Sequence, residues 1–156
     1  MNPRAIDILL VEDNPNDVEL TLHAFEKHHL ANTVQVVRDG EEALDFLLRR
    51  GAYADRKGRR QPKVVLLDLK LPKVDGLEVL RTIRSDSTLR TLPVVVLTSS
   101  REERDLVESY ELGVNSYIVK PIDFAAFLET ASTLGLYWLL LNEPPPSVGS
   151  SNEAEE

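Results

Sequence analysis

Five residues with chemical potential stand directly after apolar runs in this 156-residue chain. Glu12 and Asp13 follow Ile6-Asp7-Ile8-Leu9-Leu10-Val11, and Asp68 follows Lys63-Val64-Val65-Leu66-Leu67. Thr98 follows Pro93-Val94-Val95-Val96-Leu97, and Lys120 follows Ser116-Tyr117-Ile118-Val119. In an open parallel α/β sheet, ligands bind beyond the carboxyl ends of the strands. If these runs are such strands, three carboxylates, a hydroxyl and an ammonium meet at one edge. A single Asp after a strand is commonly a turn or cap residue; the joint occurrence is not accounted for that way. Clustered carboxylates repel and raise one another's pKa unless a cation is present. An oxygen-only set suits Mg²⁺, which keeps several waters and takes one or two carboxylates. Asp68, with metal on one side and Lys120 on the other, then has the surroundings of a nucleophile that receives a phosphoryl group. Lys120 and the Thr98 hydroxyl offer charge and a donor to its equatorial oxygens.

The elements that must position these groups are readable from periodicity. A fifth apolar run, Thr33-Val34-Gln35-Val36-Val37, joins the other four. The first, third and fourth runs are nearly continuous Val, Leu and Ile, as strands buried on both faces require. Between them lie helical stripes: Val18, Leu22 and Phe25, then Leu77, Leu80 and Ile83, then Phe124, Phe127, Leu128 and Ala131. Asn14-Pro15 reads as an N-cap followed by Pro at the first helical position. Asp39…Glu42, Asp75…Glu78 and Ser100…Glu103 have capping-box spacing. The expected architecture is α/β: a doubly wound, five-stranded parallel sheet flanked by five helices, with right-handed crossovers. Gly51 to Pro62 is polar and interrupts the alternation as a long, solvated loop, with Arg56, Lys57, Arg59 and Arg60 as a local basic patch.

Composition narrows the function. There is no Cys, so disulfides, thiolate metal sites and cysteine nucleophiles are excluded. Net charge is −8, and half of that surplus lies in residues 143–156. A balance of that sign opposes duplex nucleic acid. No apolar run approaches a bilayer span and no secretory pattern precedes the first strand, so a cytoplasmic protein that neither crosses nor binds a membrane is expected. Residues 1–142 read as one domain, and the acidic, Pro- and Ser-rich stretch 143–156 as a disordered tail.

The stretches LLVEDNPND, VVLLDLKLPKVDG, VVVLTSS and NSYIVKP resemble, in order, the motifs of response-regulator receiver domains of two-component signalling. The resemblance spans roughly residues 6–140 and implies a flavodoxin-like, receiver-type fold. By it, Asp68 is the phosphoacceptor for a sensor histidine kinase, and Glu12, Asp13, Asp68 and the backbone carbonyl of Lys70 hold Mg²⁺. Thr98 matches the family's hydroxyl position, Tyr117 its rotating aromatic and Lys120 its phosphate-pairing lysine. Phosphorylation would then alter the surface of the fourth helix, fifth strand and fifth helix. The long basic loop and the ending GLYWLLLNEPP are similar to stand-alone regulators that partner bacterial phytochromes. No output domain is expected after the last helix.

Two other readings stay open. Phosphatases of the haloacid-dehalogenase kind also use a strand-end Asp with Mg²⁺, yet need a second Asp two residues on, where this chain has Lys70. A phosphorylation-independent docking module of the same fold would not need the intact acceptor site. By the receiver resemblance the protein is expected to be a signalling domain rather than an enzyme, with at most self-catalysed phosphorylation and dephosphorylation. Leu136 to Leu141 is apolar all round a helix, so one face, including Trp138 and Leu140, is expected to bury against a second copy.

Overall fold

Strands covered by helices on both faces need an apolar side chain at every position, and the sequence supplies that in three places. In the computed structural model, β1 (Ile8–Val11) and β3 (Val64–Asp68) are buried throughout. Val94 to Leu97 of β4 (Val94–Thr98) are equally buried. The structure describes residues 8–27, 34–58, 60–71, 73–98, 113–114 and 116–120, with positions 125 and 129. The remaining strands, β2 (Val34–Val37) and β5 (Ser116–Val119), form the two edges, and β2 is accordingly half-exposed at three of four positions. All five pair in parallel in the order β2-β1-β3-β4-β5.

Three α-helices are described: α1 (Pro15–Lys27), α2 (Gly40–Leu48) and α3 (Gly76–Ser85). Each starts where a side-chain oxygen takes up backbone N–H groups left without helical partners. Asn14 Oδ1 accepts from the N–H of Asn16 at 2.9 Å and of Asp17 at 3.1 Å. Asp39 and Asp75 accept from the N–H of Glu42 and Glu78, at 2.7 and 3.0 Å. Each cap contributes about 1 kcal/mol. The return half of the α2 box is displaced by one residue, since Glu42 Oε1 accepts from the N–H of Arg38 rather than of Asp39.

Alternation along the strands divides the core. Leu9, Val11, Val65 and Leu67 pack with α2 and α3, while Ile8, Leu10, Val64 and Leu66 pack with Val18 and Phe25 of α1. In α3 the buried stripe is Val79, Leu80 and Ile83, with the expected Leu77 half-buried beside it. The fourth and fifth helices expected from the sequence fall outside the described residues, apart from helical Ala125 and Glu129. So do the Ser100…Glu103 cap, Trp138, Leu140 and the 143–156 stretch.

The stretch expected to be a solvated loop is partly folded onto α2. Gly51–Arg56 forms a 3₁₀ helix. The Tyr53 ring meets Phe46 edge-on at 5.1 Å, and its hydroxyl donates to Glu42 Oε2 at 2.6 Å. Burial, together with that bond, pushes the Tyr53 hydroxyl pKa up to about 12. Arg56 lies 3.6 Å above the Phe46 ring and donates to the Phe46 carbonyl. A guanidinium is weakly hydrated and stacks well on an aromatic face, so this member of the basic patch is better served by α2 than by water. Lys57 and Arg60 are exposed, as expected.

Candidate functional site

The strand order reverses between β1 and β3, which is the point where an open α/β sheet leaves a crevice beyond the carboxyl ends of its strands. Val11 pairs with Leu67, so Glu12 and Asp68 leave the sheet at the same level on neighbouring strands. Asp68 continues the alternation of Val64 and Leu66 and therefore lies on the α1 side of the sheet. Lys120 follows β5, two strand spacings of about 4.8 Å from β3. Only a long side chain closes such a gap. Its Nζ reaches Asp68 Oδ2 at 3.0 Å, Asp17 Oδ2 at 3.1 Å and Glu12 Oε1 at 3.2 Å. Glu12, Asp13 and Asp68 each present a carboxylate oxygen within 4.8 Å of the others. Glu12 and Asp68 are 1% and 4% exposed, while Asp13 faces solvent.

Burial and crowding set the electrostatics. Desolvation, reinforced by the hydrogen bond with Asp68 and its charge, pushes the Glu12 pKa up from 4.5 to about 7. The Asn14 N–H, which donates to Glu12 Oε2 at 3.2 Å, and the Lys120 charge oppose that rise. For Lys120, burial works against the charged form, but its bonds to Asp68 and Asp17 outweigh this and hold its pKa above the ordinary lysine value. The lysine is therefore a fixed cation. Its three N–H donors match three carboxylate acceptors.

The loop after Asp68 is clamped by two glycines. A Cβ on Gly40, the first residue of α2, would lie 1.7 Å from the Val74 carbonyl oxygen. One on Gly76 would lie 2.6 Å from the Asp68 carbonyl oxygen and from Leu69 Cα. No other residue type lets α2 and α3 approach the loop so closely. Within it, the Lys70 N–H donates to Asp68 Oδ1 at 3.2 Å, so each carboxylate oxygen of Asp68 is engaged. Lys73 takes a left-handed φ of 68° and extends toward Asp39 and Glu41 of α2, at 3.7 and 3.6 Å. Lys73 and Glu41 are exposed and Asp39 is partly buried, and at such lengths both pairs contribute little.

The fold thus gathers four of the expected residues, Glu12, Asp13, Asp68 and Lys120, at one sheet edge. Thr98 ends β4 in register with Val119, and its side chain lies outside the described parts. Tyr117 is half-buried at the margin of the core formed with α2 and α3. Asp17 is the residue that sequence reasoning missed. It stands in the first turn of α1, where an acid reads as helix capping, and nothing local marks it as a partner of a lysine 103 residues away. The donor set fits a hard divalent cation: three clustered carboxylates, one held protonated to unusually high pH by burial and by Asp68, are relieved by one.

The family described as the response regulator receiver domain matches residues 8–132. The probable methanogenesis regulatory protein FilR2 of Methanothrix harundinacea is 45% identical over 139 residues, 88% of this chain and 86% of that protein. The response regulator Rcp1 of Synechocystis sp. is 38% identical over 138 residues, covering 88% and 91%. The solved structure of Rcp1 in its Mn(2+)-bound form superposes with a TM-score of 0.68 at 36% identity, over 90% of this chain and 99% of that one. The structure of the bacteriophytochrome response regulator AtBRR superposes with a TM-score of 0.82 at 62% identity, over 90% and 100%.

Proposed function

This chain belongs to the response regulator receiver domain family, and from that premise we propose that it takes a phosphoryl group from the histidine of a sensor kinase onto Asp68. The observation that carries the reading is the Asp68 carboxylate itself. It is buried to 4% exposure, fixed on one oxygen by the Lys70 N–H, and paired on the other with Lys120 at 3.0 Å. A carboxylate oxygen attacks phosphorus; the O–P bond forms as the N–P bond breaks, and the histidine nitrogen keeps the electron pair. Lys120 neutralises charge on the equatorial oxygens, and the Thr98 hydroxyl donates to one of them. Glu12, Asp13, Asp68 and the Lys70 carbonyl would hold Mg²⁺, which supplies further neutralising charge when bound. The similarity to the bacteriophytochrome response regulator AtBRR supports a phytochrome-type kinase as the donor.

Signalling then follows from a shift of Thr98 and Tyr117 that changes the surface of the fourth helix, fifth strand and fifth helix. A two-fold contact through Trp138 and Leu140 would carry the signal as a homodimer. Light scattering is expected to give twice the chain mass, and Leu140→Glu with Trp138→Ser a single chain. The net charge of −8 speaks for a protein target rather than nucleic acid. Among the described residues no helix is long and apolar enough to cross a membrane.

The test is to incubate the protein with phosphoramidate and Mg²⁺ and weigh it intact. A receiver gains one phosphoryl group that hydroxylamine removes, and Asp68→Asn gains none. Steady turnover of the donor with no phosphoryl group retained would mark a phosphatase, and an unchanged mass without turnover a docking module.

A further inference from the structure

We infer that Asp17 is a resting-state counter-ion which holds one N–H of Lys120 away from the incoming phosphoryl group and so slows its transfer. This rests on Asp68 being the phosphoacceptor. Asn14 caps α1 through its side chain, and Asp17 occupies the third helical position. An acidic residue there ordinarily reaches back to the N–H of the cap residue. Here Glu12 Oε2 already accepts from the Asn14 N–H at 3.2 Å, so the Asp17 carboxylate is not needed at the helix start. It turns across the crevice instead and accepts from Lys120 Nζ at 3.1 Å.

The consequence is a matter of counting donors. An ammonium has three N–H groups, and Glu12, Asp17 and Asp68 accept one each. A phosphoryl group arriving on Asp68 brings further oxygens that need the same cation. Glu12 and Asp68 are buried and fixed on the sheet, whereas the Asp17 side chain is 28% exposed at a helix start. Asp17 is therefore the partner Lys120 can release at least cost, because water replaces the lost bond. Until release, its charge also repels an anionic donor. With Asp17 removed, Lys120 keeps two carboxylate partners at 3.0 and 3.2 Å and stays in place with one N–H free.

The experiment measures the rate at which phosphoramidate phosphorylates the full chain with Mg²⁺, by intact mass, at low and high salt. In each transfer the Asp68 O–P bond forms, the donor P–N bond breaks, and the nitrogen leaves as ammonia after taking a proton from solvent. Asp17→Asn is expected to be faster by roughly three- to tenfold, the effect of one unit charge acting across a partly solvated site. The ratio to the unmodified protein should shrink as salt rises, because part of it is screened repulsion. Asp17→Glu should return the slow rate, and Asp17→Ser, a second variant that keeps a short polar residue at the helix start, should be at least as fast as Asp17→Asn, whose amide oxygen can still accept from Lys120. Equal or slower phosphorylation of both Asp17→Asn and Asp17→Ser overturns the inference, as does an Asp17→Glu variant as fast as they are. If the unmodified protein takes no phosphoryl group, or Asp68→Asn takes as much, the receiver reading itself fails and this inference with it.

Discussion

Asp68→Asn is expected to make the metal-free protein more stable above neutral pH, and the reason lies in Glu12. Its pKa of about 7, against an ordinary 4.5, means that the folded chain binds a proton there which the unfolded chain has released between those values. Stability contributed by protonated Glu12 is complete below pH 4.5 and is lost as pH rises through 7. At ~1.4 kcal/mol per unit of pKa, the full loss is about 3 kcal/mol. Burial is the largest cause of the shift, and the Asp68 hydrogen bond and charge come next. Asp68→Asn leaves the burial and removes the charge, so on the order of 1 kcal/mol should be recovered at pH 8, or about 2–4 °C in Tm for a chain of this size. The amide oxygen can still accept from Lys120, and the substitution is nearly isosteric. Urea or thermal unfolding from pH 5 to 8 in a chelator would read this as a shallower decline for the variant, with Glu12→Gln flatter still. Divalent cation should narrow the gap, since it stabilises the unmodified protein more. An Asp68→Asn variant less stable than the unmodified protein at pH 8, or one with the same pH slope, would refute the account.

Asp13→Ala and Glu12→Ala should each weaken Mg²⁺ binding in calorimetric titration, more so for Asp13. Affinity should rise from pH 6 to 8 as Glu12 gives up its proton, and unchanged affinity in the double variant would contradict the site. Gly40→Ala should cost at least about 2 kcal/mol in unfolding measurements, because its Cβ would overlap the Val74 carbonyl; a neutral result would show that the loop gives way. Arg84→Ala should cost on the order of 2–3 kcal/mol, with Arg84→Lys recovering only part. Its guanidinium donates to the carbonyls of Arg90, Leu92 and Gly113 at 2.7–3.1 Å, tying the end of α3 to the approaches of β4 and β5.

Much of the fold is encoded locally. Continuous Val, Leu and Ile in β1, β3 and β4 can be satisfied only by strands covered on both sides, and Asn14, Asp39 and Asp75 start helices by bonding their own neighbours. Residues that end parallel strands share one edge whatever the strand order, which is why Glu12, Asp13, Asp68 and Lys120 could be placed together from one chain. What depends on packing between distant elements was not encoded that way. Asp17 reads as a capping acid, Arg84 as a basic residue in a last helical turn, and Arg56 as part of a solvated basic patch. Asp17 and Arg84 acquire their partners, Lys120 and the Gly113 carbonyl, only when the sheet brings distant segments together, and Arg56 reaches the Phe46 ring only when the 3₁₀ turn folds back on α2. Periodicity records which face of an element is buried. It carries no record of what a polar side chain on the other face can reach, because that is set by the spacing and register of strands far apart in the chain.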